Sequence, residues 1–530
     1  MSHLYEPVTS SESQNDGAVG NQVKRPLGKG ELFRLAISMG GLQVTWVTVM
    51  AAGSPFLLSL GLVPSLVSLV WLSGPVCGTL LQPFIGYKSD TLVSINMLAW
   101  TSETMRLTCS VLGVNPYNRA PSLITKLLAV FWIWVLNISL QPVQAGLRAL
   151  AVDCCPDTQQ AEVGTFTSCI VLLGNLVGYG AGFLKMPIPS VPGLVENIQF
   201  KGLCLIASLC LGSTVAITCY FTKERSLATT PSPQKKIRAW RVFWEIQKTA
   251  IDLPPTVKTV CLVQFFSWLA WFPFLFYGVT YLSKIYKSNL LLIKMGPPSN
   301  HFYNALHEES IRHGTLALVL FSCVALITNF TLPYLIHDNP GDRTRDVTDI
   351  GNVWGRIKRN LTLPRAWMVS HVLSSISLFG LTVGEDFISS VVFVAILGIS
   401  WGLTQWAPFA IIGAEIAKES IPNPLYRDHS TRVPEAASSS GSFTTNDEID
   451  AEKQQFSSNH SPGPARSMAA TTMGVHNIAI SLPQICSAII SSLIFAISTS
   501  LNLGPTVTLA WVLRCGVVAA ACAAYLGRGI

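Results

Sequence analysis

The sequence predicts an all-α membrane protein with twelve transmembrane helices in two six-helix bundles, and three observations carry that expectation. Of the 530 residues, 49% are hydrophobic and only 12% charged, about half the charged share that a water-soluble domain carries. The mean hydropathy is +0.43. The apolar residues gather in runs of bilayer-spanning length, and Lys and Arg concentrate in a few hydrophilic segments between them. An ordinary soluble enzyme, a disordered protein and a disulfide-rich secreted scaffold are excluded on these grounds.

A helix needs about twenty apolar residues to cross the hydrocarbon core, where the backbone has no water to bond. Runs near 35–58, 64–87, 123–142, 164–185, 202–221, 258–281, 315–337, 367–384, 388–410, 474–495 and 506–526 meet that length. A twelfth, near 94–113, is interrupted by Glu103 and Arg106, and parity decides in its favour. The first segment carries Lys24, Arg25, Lys29 and Arg34, and 222–257 carries Lys223, Arg225, Lys235, Lys236, Arg238, Arg241 and Lys248. If both are cytoplasmic, an even number of spans separates them, and the weak run makes six. The same rule places Arg343, Arg345, Arg356, Lys358, Arg359 and Arg365 inside, with both termini, while the expected outer loops near 59–63 and 496–505 have no Lys or Arg.

The resulting division is a disordered cytoplasmic segment 1–31, a first bundle 32–221, a cytoplasmic linker 222–256, the first part of a second bundle 257–416, a disordered cytoplasmic loop 417–467, and two last helices in 468–530. Six plus six helices around a midplane site is the plan of many secondary transporters. Residues 1–30 lack an apolar h-region, so no cleavable signal peptide is expected. The 13 cysteines lie mostly in apolar runs without metal-type CxxC spacing and read as small hydrophobes. The net charge of +7 sits largely in loops and reports topology, not nucleic-acid binding. The triplets at Asn137, Asn329, Asn360 and Asn459 fall in spans or expected cytoplasmic loops, where glycosylation is not expected.

Polar residues inside the spans are costly unless they face a cavity or a partner. In the fourth span Asn137, Gln141, Gln144 and Arg148 recur at four, three and four residues, which puts them on one helical face. Such donors suit sugar hydroxyls, and they equally suit interhelical hydrogen bonds. Pro142 lies within the stripe and is expected to bend it. In the seventh span Gln264, Trp268 and Trp271 share a face, where an indole can cover a pyranose ring; Trp271 reads either as a pocket wall or as an interfacial anchor. In the tenth, Trp401, Gln405 and Glu415 lie near one face, with Glu415 either a titrating carboxylate or a helix end. The eleventh offers His476, Asn477 and Gln484, and His476 reads either as a titrating group or as a satisfied buried histidine. Gly40, Gly41, Gly174, Gly178 and Gly180 permit close helix contact or bending.

Several stretches together resemble the sucrose transporter family, the glycoside-pentoside-hexuronide:cation symporter branch of the major facilitator superfamily, and within it the fungal alpha-glucoside permeases. They are Ser38 to Trp46, Ser54 to Leu62, Val70 to Gly78, Gln82 to Asp90, Val143 to Asp153, Gly174 to Tyr179, Gln264 to Phe274, Trp406 to Ala410, and Gly474 to Asn477 with Pro483-Gln484. The resemblance implies the major facilitator fold and proton-coupled uptake of sucrose or maltose across the plasma membrane by alternating access. By it Arg148 corresponds to an arginine implicated in coupling and sugar binding, Asp153 and Glu415 stand at matching acidic positions, and Asp90 belongs to a gating loop. The chain departs from the family where Asn137 replaces an aspartate, where Thr91 onward replaces an arginine-rich pattern, where Lys284 stands for an acid, and where a histidine is missing around Pro64-Ser65.

The sugar contacts expected are Gln43, Gln144, Asn175, Gln264, Trp271, Gln405 and Asn477, with Arg148 and either Asp153 or Glu415 for coupling. Protons are the expected coupling ion, with no metal or other cofactor. A small-molecule sugar and the lipid bilayer are the partners, nucleic acid is not, and nothing in the sequence fixes an oligomeric state. An uncoupled facilitator, which Asn137 favours, and a transport-inactive sensor signalling through 421–464 are the alternatives; an enzyme is disfavoured because no nucleophile arrangement, metal cluster or phosphate loop is present.

Overall fold

The structure, a computed structural model, describes residues 26–80, 91–156, 159–186, 197–222, 253–293, 300–336, 361–419 and 464–530. Among them every regular element is helical: α1 Lys29–Ser59, α2 Pro64–Val70, α3 Ser73–Leu80, α4 Thr91–Ala99, α5 Thr101–Val111, α6 Arg119–Cys154, α7 Gln160–Phe183, α8 Ile198–Phe221, α9 Pro255–Ile293, α10 Asn300–Leu335, α11 Leu363–Val383, α12 Phe387–Thr404, α13 Ala407–Glu419, α14 Pro464–Ser500 and α15 Pro505–Leu526, followed by a 3-10 turn at Gly527–Gly529. Ten helical stretches among the described residues are long and apolar enough to cross a bilayer, so the chain is a multi-pass membrane protein. Large side chains such as Leu107, Val111, Tyr220, Tyr334, Ile388 and Val518 are exposed, as an apolar solvent allows.

Two of the twelve expected spans are not single long helices. The second is the pair α2 and α3, whose continuation lies outside the described residues. The third is the pair α4 and α5, broken at Trp100. The tenth span corrects the expectation differently: it is interrupted at Gln405-Trp406 between α12 and α13. Pro408 explains the break, since it lacks the N–H that would bond Thr404 and its ring crowds that carbonyl. Gln405 is the residue that closes α12, with φ −74° and ψ −26° still in the helical region, four residues after Trp401.

Helices α1 to α8 form one bundle and α9 to α15 the other, joined along α7 with α10, α2 and α3 with α14, and α1 with α9. Successive crossings alternate in direction, so one end of the bundle, here called proximal, holds the starts of α1, α7, α9 and α11. The opposite, distal end has tight connections. Leu62 N–H bonds Leu57 O and Gly61 N–H bonds Leu58 O after α1, a Schellman closure that Gly61 permits because its φ is +82°. The same pair of bonds closes α5 and α14.

Glu103, which interrupted the third run, has an answering charge. Lys201 at the start of α8 forms a salt bridge with it and lies over the Trp100 ring at 4.8 Å. Two opposite charges entering the bilayer together avoid the cost that either would meet alone. Removing one partner leaves the other buried and costs about 3 to 5 kcal/mol. Lys201→Met is therefore expected to lower thermal stability in detergent markedly, and Lys201→Met with Glu103→Leu to recover most of the loss. A double variant as unstable as the single one would contradict this pairing.

Candidate functional site

On α9 the spacing 264, 267/268, 271 aligns Gln264, Ser267, Trp268 and Trp271 along the face turned to the bundle interior. Gln264 is 0% exposed, and its amide Nε2 donates to Nε2 of His476 on α14 at 3.2 Å. The Phe409 ring stands edge-on to the imidazole, with centroids 4.8 Å apart. Trp271 is 2% exposed and meets Trp401 of α12 at 5.0 Å and Phe321 of α10 at 6.2 Å, so it packs inside the bundle and is not an interfacial anchor. Trp268 meets Trp401 at 5.8 Å and Phe272 at 5.3 Å. These indoles form an aromatic corner.

The corner is polar as well as apolar. Gln264 Oε1, Ser267 Oγ, Trp268 Nε1 and Trp401 Nε1 are buried with no hydrogen-bond partner among the described residues. Each such atom costs about 1 to 3 kcal/mol unless water or a ligand satisfies it. Hydroxyl groups can both donate and accept, and an indole face packs on apolar C–H groups, so these atoms have the chemistry to meet a polar ligand.

Across the interface Gln43 of α1 donates from Nε2 to Oδ1 of Asn175 on α7 at 2.8 Å, and Asn175 Nδ2 is again buried without a partner. The two meet because α1 and α7 touch backbone to backbone: a Cβ on Gly174 would lie 2.5 Å from Gly40 O. Since α1 also packs on α9, this amide pair borders the same interface as the aromatic corner.

The α6 stripe divides in two. Asn137 is 2% exposed, and its Nδ2 donates to Ser73 Oγ at 3.0 Å and to Ile133 O at 2.9 Å; Gln141 Nε2 reaches Gly74 O at 3.5 Å. A Cβ on Gly74 would lie 2.9 Å from Gln484 Nε2 and 3.4 Å from Asn137 Oδ1, so these amides gather at the crossing of α3, α6 and α14. They serve as interhelical glue. Gln144 is half-buried and Arg148 is exposed, so the second half of the stripe is not consumed in these ties.

The remaining candidates are spread more widely. Asn477 and Gln405 are half-buried near His476 and Trp401 in sequence, and Glu415 is half-buried on α13, each on its own element. Asp153 lies in the last turn of α6, its side chain outside the described residues, as is Asp90 altogether. Ser267 and the free indole N–H groups escaped sequence reasoning, because no spacing reveals whether a donor is already used. So did the ties between bundles, Asn329 Nδ2 to Ser168 Oγ at 3.1 Å and Arg312 Nε to Phe183 O at 2.8 Å. Among the described residues no group of three His, Cys, Asp or Glu could hold a metal ion.

Several known proteins are similar to this chain over much of its length. The general alpha-glucoside permease of Schizosaccharomyces pombe is 27% identical over 94% of this chain and 92% of its own length. Rice sucrose transport protein SUT2 (Oryza sativa subsp. indica) is 24% identical over 74% of this chain and 81% of that protein, and SUT3 (subsp. japonica) 23% over 57% and 63%. Among solved structures, a mutant of the nucleoside transporter NupG superposes with a TM-score of 0.52 at 10% identity, covering 94% of this chain and 99% of that one. No protein-family model matches. The chain is a homologue of these sugar carriers with the major facilitator fold, and its homologues are transporters, not enzymes.

The backbone contact at Gly174 yields a direct test. Gly174→Val forces α1 from α7 and separates Gln43 from Asn175, an overpacking cost of about 1 to 3 kcal/mol. The same change at Gly146, with nothing within 4 Å of its would-be Cβ, is expected to be tolerated. Thermal unfolding of the two purified variants checks this, and equal melting temperatures would refute the close contact.

Proposed function

We propose that the protein carries a disaccharide of the sucrose or maltose type across the plasma membrane by alternating access, in symport with protons and with both termini in the cytoplasm. The observation that carries the sugar reading is the corner of Trp268, Trp271 and Trp401 with its four unsatisfied polar atoms. A pyranose presents an apolar C–H face to an indole and hydroxyls around its rim, each able both to donate and to accept. The names of the relatives, an alpha-glucoside permease and sucrose transport proteins, support the same class.

The site lies beside the seam between bundles, where a substrate would be met by Gln43 and Asn175 from one side and Gln264 from the other. Rocking of one bundle against the other would then open that seam to each face in turn. Arg148, exposed on α6, would couple sugar and proton occupancy through its charge.

A second reading is uncoupled diffusion of the same sugars, favoured by Asn137, an amide that cannot exchange a proton and whose N–H groups are committed to Ser73 and Ile133. Labelled sucrose and maltose uptake in a transport-deficient yeast separates the two. Symport predicts acid-stimulated accumulation, medium alkalinisation and collapse by an uncoupler; uptake indifferent to all three would establish the facilitator. Gln264→Leu is expected to cut uptake at least tenfold with normal surface abundance, by removing the central amide while keeping its volume. Unchanged uptake in that variant would refute the site.

A further inference from the structure

We propose that His476 is the group that carries the coupling proton, and that the Gln264 amide reads its charge by turning over. This rests on the proton-coupled reading above. His476 is 1% exposed and receives the Gln264 Nε2 hydrogen bond at 3.2 Å. An amide NH₂ can only donate, so the ring nitrogen it meets carries a lone pair and the imidazole is neutral in this arrangement.

Protonation adds hydrogen to that nitrogen and removes its capacity to accept. The pair would then be donor against donor. Rotating the terminal amide by half a turn brings Oε1, now buried without a partner, onto the imidazolium N–H. It sends the NH₂ to the place that Oε1 leaves, at almost no change in shape. No bond to carbon forms or breaks; one proton joins His476 Nε2 and one hydrogen bond is exchanged for its mirror image. Gln264 thus offers the sugar site an acceptor when His476 is neutral and two donors when it is charged. The neighbouring Ser267 Oγ and Trp268 Nε1, also unsatisfied, lie one turn further along the same face of α9 and would meet a sugar bound there.

The surroundings suit this role. Of the elements packed on α14, α2 and α3 carry no charged residue. Helix α9 carries Lys258, Lys284 and Lys287, α15 carries Arg514, and Glu415 lies on α13 beyond Phe409; the Arg514 guanidinium is engaged with Thr382 O. In the first bundle Arg148 of α6 carries a positive charge, so a proton on His476 would add a like charge in the second bundle. Asn137, standing where a titrating group would otherwise be sought, is locked in its amide bonds.

The test uses the full chain in yeast and in proteoliposomes, with labelled sucrose and maltose. In wild-type protein, sugar entry is expected to alkalinise the medium and to rise severalfold as external pH falls. His476→Gln, which hydrogen-bonds but does not titrate, is expected to pass sugar only downhill, with no alkalinisation and a flat pH profile. A variant that still accumulates sugar and alkalinises the medium overturns the inference while leaving symport intact. Wild-type entry without proton movement overturns the symport reading itself, and absence of any sugar entry overturns the transport reading. Should His476→Gln not reach the membrane, His476→Asn is put through the same assays; proton movement lost with downhill sugar entry kept supports the inference, and accumulation with alkalinisation overturns it.

Discussion

Inside a bilayer no water stands ready to satisfy a polar group that the protein leaves unbonded. That constraint orders the whole molecule. It makes every backbone segment at depth helical, it brings Lys201 to Glu103, and it consumes Asn137 and Gln141 in ties to α3. Among the described residues, buried polar atoms without a partner remain on several helices, and those of Gln264, Ser267, Trp268 and Trp401 lie beside the aromatic corner of α9 and α12.

The two bundles are held by contacts of different kinds. At the distal end Tyr277 and Ser68 share a hydrogen bond at 2.7 Å, Trp71 stacks on Phe276 at 5.0 Å, and Arg312 caps the last turn of α7 through Phe183 O. Nearer the proximal end α6 leaves Arg148 open to solvent. A further tie between the bundles, Asn329 Nδ2 of α10 to Ser168 Oγ of α7 at 3.1 Å, lies nearer that same proximal end.

Much of this was legible in the sequence because a spanning helix is announced by length and hydropathy alone, and because helical spacing fixes which polar residues share a face. Gln264 with Trp271 on one face of α9 follows from that logic, whereas the bond between Gln43 of α1 and Asn175 of α7 does not. The breaks at Trp100 and Gln405 were not legible as breaks, since an apolar run reads the same whether its helix is continuous or interrupted; Pro408 was the missed signal. Division of the α6 stripe into glue and an uncommitted half was hidden as well. Whether Asn137 faces Ser73 or a cavity depends on which helix crosses it, and one helix's periodicity carries no such information. The charge at Lys201 could have been found by asking which cation answers Glu103.

The central claim is that the free indole and amide groups of α9 and α12 bind sugar hydroxyls. Calorimetric titration of the purified protein with sucrose and maltose tests it most directly, comparing wild type with Trp268→Phe/Trp401→Phe, which leaves a smaller aromatic ring at each position and deletes both N–H donors. Saturable binding that weakens by about tenfold or more in the double variant is the result this account predicts. Binding of undiminished affinity in that variant would contradict it.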